Sequence, residues 1–239
     1  MLEVTPRLNR QSLGNQIANQ LRQEILLGRL PPGQTVSQQQ LCDQYGTSRM
    51  PVRDALVRLT NEGLIEGTPG GHSVVARLTA EDIVDAFDIE ALVHGRAGRR
   101  AVARATDEEI AELQGLHRSM LAASRERDQA GLTDLNWTFH KRINVMAGSA
   151  KLMAVIRSTS LEIPRSYLSA LPGSVAKINR EHAAIVDAFV VRDPQQAETL
   201  IAAHVAGAGS DLAAHLAARG LFSPSEPSAS RSRADAARG

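Results

Sequence analysis

The chain has 239 residues, 43% hydrophobic and 22% charged, with a formal net charge of +1. That is enough chain for two domains with sizeable cores, and it is too near neutrality for a protein that grips polyanions by bulk charge. A single cysteine, Cys42, excludes an intrachain disulfide and any Cys-cluster zinc site, no stretch approaches a membrane span, and the N-terminus MLEVTPRLNRQSLGNQ lacks an apolar leader core, so a cytoplasmic protein is expected.

In chain order, Leu13, Ile17, Leu21 and Ile25 recur at helical spacing and predict an amphipathic helix over 12–28, stopped by Gly28 and the Pro31-Pro32-Gly33 turn. SQQQLCDQYG begins with Ser37-x-x-Gln40, a capping-box pattern, and ends at Gly46, which predicts a short second helix. Ser48 to Leu64 reads SRMPVRDALVRLTNEGL. With Ser48 as N-cap, Pro51 falls in the first turn, where its missing N–H is harmless. Val52, Leu56 and Leu59 then form a buried stripe, and Arg49 and Arg53 share a neighbouring face. Two short β-prone pieces around Pro69-Gly70-Gly71 read as a hairpin. Helix, short helix, turn, helix and hairpin is the order of a winged helix-turn-helix, predicted over 1–77.

The rest is helical. Helices are predicted from Thr79-x-x-Asp82 to about 105, from Thr106-x-x-Glu109 to about 127, over 131–147, over 150–170, from Ser174, and from Asp193-Pro194. Six helices with short connections predict an antiparallel bundle over 78–221, and the Pro/Ser/Ala-rich 222–239 a disordered tail. The fold class is therefore mainly α: a winged helix-turn-helix followed by an all-helical bundle.

A lone R-x-x-x-R pair is usually a solvated surface feature. Third in a winged-helix order, the pair stands where a recognition helix meets base edges, and arginine there can address guanine or phosphate. Residues 1–76 hold seven Arg and six acids, so a few placed arginines must do this work. Arg58 points away and reads as surface. In the bundle, DLNWTFHKRI sets Asn136 one turn before His140, and His182 and His204 lie among apolar neighbours on two later helices. Three imidazoles and one oxygen ligand would suit a divalent transition metal, zinc first, with nickel or manganese as alternatives. HExxH is absent, and VAGAGSD lies inside a helical pattern with no strand before it, so its small residues read as a close helix contact. His117 and His215 read as structural.

SRMPVRDALVRLTNEGLIEG resembles the DNA-binding signature of GntR-type bacterial transcription regulators over about residues 10–77, and the remainder resembles the FadR-like branch with its FCD effector domain, VanR-like six-helix subgroup. The resemblance implies a homodimer on a short palindromic double-stranded operator, responsive to a small metabolite effector and most often a repressor. It implies DNA contacts from Ser37, Gln39, Ser48, Arg49, Met50, Arg53, Gly71 and His72. It also implies that Asn136, His140, His182 and His204 hold a metal that fixes the pocket and often receives an effector carboxylate. Some members carry Arg where this chain has Gln39, a basic residue or His at Gly70, and Asp at Asn136. Where the family places an Arg and a Glu in its first effector-domain helix, this chain has Glu90 and His94, which mark an effector pocket without the usual arginine; Arg96, Arg99 and Arg100 read as surface. A metal-dependent enzyme with an accessory DNA-binding domain, or a regulator that senses the metal itself, are the competing readings.

Overall fold

The computed structural model describes residues 13–159, 174–220 and 222. These form two compact units that divide between Leu78 and Thr79. The predicted 222–239 tail and the second half of the helix predicted over 150–170 lie outside the described residues.

The first unit runs α1 (Leu13–Leu26), β1 (Thr35–Val36), α2 (Gln38–Tyr45), α3 (Arg49–Asn61), β2 (Ile65–Gly67) and β3 (Ser73–Val75). Ile17, Leu21 and Ile25 of α1 pack with Val52, Leu56 and Leu59 of α3, all buried, as the helical periodicity requires. The helices cross closely at Gly14, where an added Cβ would lie 3.1 Å from the Pro51 carbonyl oxygen. Arg22, buried at 2% exposure, donates to Glu62 through Nε at 2.8 Å and Nη2 at 2.7 Å. This two-point ion pair ties α1 to the end of α3 and fixes the helix that carries the arginine pair. α2 ends at Gly46, whose φ of 58° is the left-handed region that glycine enters without a Cβ penalty. The hairpin forms as predicted, but the sheet has three strands in the order β1-β3-β2, both pairings antiparallel. β1 was not anticipated: two residues carry no alternation to read, and only the pairing of Thr35 with Val74 defines it.

The second unit is built from α4 (Ala80–Val102), α5 (Asp107–Glu126), α6 (Gln129–Met146), α7 (Ala150–Thr159), α8 (Ser174–Val190) and α9 (Pro194–Ala218). Thr79 and Thr106 form reciprocal capping boxes with Asp82 and Glu109. Asp193 accepts from the Gln195 and Gln196 N–H groups, with Pro194 at the first helical position. α6 starts at Gln129, two residues before the predicted 131, because Asp128 rather than a later residue takes the Gly131 N–H at 2.9 Å. Phe139, Phe189, Leu113, Met120, Ile143, Ile185 and Ile201 fill the core. α4 packs along α9 through small residues. A Cβ at Gly95 would stand 2.8 Å from the Glu198 carbonyl oxygen, and one at Gly209 would run into Phe87. The Gly-Ala run of α9 is thus a packing surface. Arg99 pairs with Glu198 at 3.0 Å and Arg100 donates to the Ala147 carbonyl at 3.2 Å, so both bridge helices, whereas Arg96 is exposed. No described helix is long and apolar enough to cross a membrane.

Candidate DNA-reading helix and metal centre

Ser48 is the N-cap of α3, yet its side chain makes no capping hydrogen bond. A serine cap bonds the N–H of the second or third helical residue, and here the third is Pro51, which has none. The hydroxyl stays available at the helix tip. Around it, Arg49, Met50 and Arg53 are exposed, Met50 at 65%. Arg49 Nη2 donates to Gln39 Oε1 at 3.3 Å, and Gln39 Nε2 to Asp43 Oδ1 at 3.0 Å. Gln39 therefore steadies the Arg49 guanidinium from α2. Ser37 accepts the Gln40 N–H at 3.4 Å as the cap of α2. Gly71, with φ of 76°, turns the hairpin, which is closed by bonds between Thr68 and His72; His72 is exposed beside it. The exposed Arg58 is at the other end of α3.

In the bundle, His140 of α6, His182 of α8 and His204 of α9 converge. Their candidate ligand atoms all lie within 4.8 Å of one another. His204 Nε2 is 3.1 Å from His140 Nε2 and 3.3 Å from His182 Nε2. Nitrogens bound tetrahedrally at the usual Zn–N length stand about 3.3–3.4 Å apart, so the rings already hold nearly the spacing an ion imposes. One turn before His140, Asn136 buries its Oδ1 with no hydrogen-bond partner among the described residues. An oxygen in that state is costly unless something fills it, and a cation would. Asn136 also lines a small cleft with Leu132, Thr133, Val175 and Ile178. Three imidazoles converging in this way are a donor set that could hold a divalent transition metal.

Electrostatics agree with that use. Burial, then the neighbouring His204, His182 and His94, holds His140 well below the ordinary imidazole value. Burial, then His204 and His117, does the same to His182. Both rings are therefore neutral near pH 7, the form that ligates. The sign for stability follows. Unfolded histidines protonate near pH 6.5 and these two do not until lower pH, so below about 6.5 the unfolded chain binds more protons. Without added metal, the melting temperature of the bundle is expected to be level above that pH and to fall as pH drops below it. A flat melting profile down to pH 5 would contradict the burial of these rings.

His94, predicted as a pocket residue, faces this cluster from α4. Burial lowers its pKa most, a hydrogen bond with Asn144 raises it, and His204 lowers it. Glu90 is buried at 7% exposure one turn earlier on the same helix. Sequence reasoning missed Glu181, whose Oε2 lies 2.7 Å from His204 Nδ1, and Phe139, whose ring stacks on His182 with centroids 4.4 Å apart. Only the adjacency of Glu181 to His182 could have drawn attention to the first. His117 bonds the Asn179 carbonyl at 3.2 Å, linking α5 to α8 near enough to His182 to act on its pKa.

Comparison with known proteins places both units. Residues 13–75 match the bacterial regulatory proteins of the gntR family, and residues 85–207 the FCD domain. The chain is similar to a protein of Paenarthrobacter nicotinovorans named as a probable D-xylose utilization operon transcriptional repressor, 30% identical over 85% of this chain and 90% of that one. It is also similar to the Glc operon transcriptional activator of Escherichia coli strain K12, 27% identical over 79% and 84%. Among solved structures it shares its fold with E. coli McbR/YncC, with a TM-score of 0.64 at 22% identity, covering 86% of this chain and 99% of that one. The two relatives from Paenarthrobacter nicotinovorans and Escherichia coli are both named as transcriptional regulators. With its N-terminal winged helix and its FCD bundle, the chain belongs to the GntR family of DNA-binding transcription regulators.

Proposed function

We propose that this regulator works as a homodimer, reads a short palindromic operator with Arg49 and Arg53, and responds to a small metabolite bound beside a divalent cation in its helical bundle. The observation that carries the cation and effector reading is the convergence of His140, His182 and His204, with the orphaned Asn136 oxygen one helical turn before His140. Those four residues would hold the ion. When bound, it supplies a Lewis-acidic centre with a coordination position left for a polar group of the effector. Zinc suits the imidazole-rich set, with nickel or manganese as further candidates, and Asn in place of Asp removes one ligand charge and so lowers the expected affinity.

Operator recognition rests on placement rather than bulk charge. The exposed end of α3 offers Ser48, Arg49, Met50 and Arg53 together, with Ser37 and Gln39 beside them and Gly71 and His72 on the wing. Arginine at such a position pairs bidentately with guanine, and backbone phosphates are natural partners for the serines. Dimerisation is supported by α4, which leaves Ile89 at 53% and Leu92 at 74% exposure on the single chain. Exposed apolar side chains on a long bundle helix are what a twofold partner would cover. The effector acts by favouring the dimer geometry with the wrong half-site separation, which requires unequal affinity for the two states and releases a repressor from its site.

The test is operator affinity measured on chelator-stripped protein, on zinc-loaded protein, and on zinc-loaded protein with candidate metabolites. The expected result is one metal per chain, similar operator affinity with and without it, and weakened binding with one metabolite class. A large affinity change driven by free metal alone would make the ion the signal, and no metal uptake would remove it from the account.

A further inference from the structure

We propose that Glu181 is a positioning residue for the metal centre: it holds His204 in the tautomer and orientation that turn its Nε2 lone pair toward the ion. The inference rests on the metal reading above for its purpose, and on a hydrogen bond for its content. His204 Nδ1 lies 2.7 Å from Glu181 Oε2. A carboxylate oxygen only accepts, so the imidazole donates its Nδ1 proton. A neutral ring has a single N–H, and His204 Nε2 is then bare. That bare nitrogen is the atom 3.1 Å from His140 Nε2 and 3.3 Å from His182 Nε2, at the centre of the cluster. Without the carboxylate, no other described contact of His204 Nδ1 fixes the tautomer, and the Nε2–H form would point a proton where the ion must sit.

Placement explains why one acid suffices. Glu181 and His182 are consecutive in α8, and neighbours on a helix diverge by about 100°, so they cannot face the same way. His182 is fully buried and enters the cluster directly. Glu181 stays 30% exposed at the rim and reaches the far side of the His204 ring, which comes from α9 and is 8% exposed. Two consecutive residues thus supply one ligand and the support of another. Outer partners of this kind raise ligand basicity and fix ring orientation, and their loss commonly weakens metal affinity tenfold to a hundredfold.

Two readouts test this on the full chain, one of which needs no metal. Nitrogen-15 NMR of metal-free protein at neutral pH is expected to show His204 as the Nδ1–H tautomer. In Glu181→Ala it should shift toward Nε2–H. Glu181→Gln, whose amide oxygen still accepts, should keep the native pattern. Zinc titration against a competing chelator should give about tenfold to hundredfold weaker binding for Glu181→Ala, and a smaller loss for Glu181→Gln. Helical circular dichroism should be unchanged in both, since the side chain lies at the rim. A Glu181→Ala protein that keeps the His204 tautomer overturns the proposal, as does one that binds zinc within twofold of the parent. If the parent itself takes up no zinc, the metal reading fails, and the tautomer comparison still decides what Glu181 does to His204.

Discussion

Arg53→Ala is expected to abolish specific operator binding while leaving the protein folded. Arg53 is exposed in the second turn of α3 on a face neighbouring the Val52, Leu56 and Leu59 stripe, so truncating it removes no buried side chain. Surface changes of this kind stay within about 0.5 kcal/mol of the parent stability. A bidentate arginine–guanine contact is worth about 1–3 kcal/mol, and a symmetric dimer loses it at both half-sites. The combined loss of about 2–6 kcal/mol corresponds to roughly 30-fold to 10⁴-fold in affinity. Fluorescence anisotropy with a labelled operator at fixed salt measures it. The salt dependence then separates two roles for the side chain. If Arg53 reads bases, the slope of affinity against salt is nearly unchanged. If it pairs phosphate, the slope drops by about one unit per contact. Retention of full affinity would remove α3 as the reading element.

The second large effect belongs to His182→Ala. His182 is fully buried, stacks on Phe139 and places Nε2 against His204. Its loss deletes one of three imidazoles, and stoichiometric metal should disappear from the purified protein. Metal at a hundred times its dissociation constant stabilises a folded protein by about 2.7 kcal/mol. At about 2–4 °C per kcal/mol for a protein of this size, the metal-loaded parent should melt roughly 5–10 °C above the variant from this term alone. Melting both in excess chelator isolates the packing loss at Phe139, and the remaining difference is the metal's share. Stoichiometric zinc in the variant would take His182 out of the ligand set.

Most of the architecture was legible because its signals are local. Thr79 with Asp82, Thr106 with Glu109, and Asp193 with Pro194 each announce a helix start through bonds made within four residues. The same locality predicted the hairpin through Gly71. Signals that need a distant partner were not legible. β1 exists only because Val74 lies across from Thr35. The two-point bond between Arg22 and Glu62 spans 40 residues and looks, in sequence, like two ordinary surface charges. At the candidate metal site, Asn136 and His140 could be paired by helical spacing, but His182 and His204 were added only through resemblance to the family. Glu181 was missed altogether, since its role depends on α8 lying beside α9. Ser48 illustrates a third case. Its position as N-cap was readable, but the missing cap bond was not, although Pro51 removes one of the two N–H groups that Ser48 could have bonded.

The most direct test of the account is to let the purified full-length protein select fragments from its source genome and to sequence those it retains. The account predicts a short palindrome whose half-sites are about one helical turn apart, recovered by the parent with or without zinc and lost by Arg53→Ala. Enrichment of no sequence, or of one that Arg53→Ala recovers equally well, would contradict it.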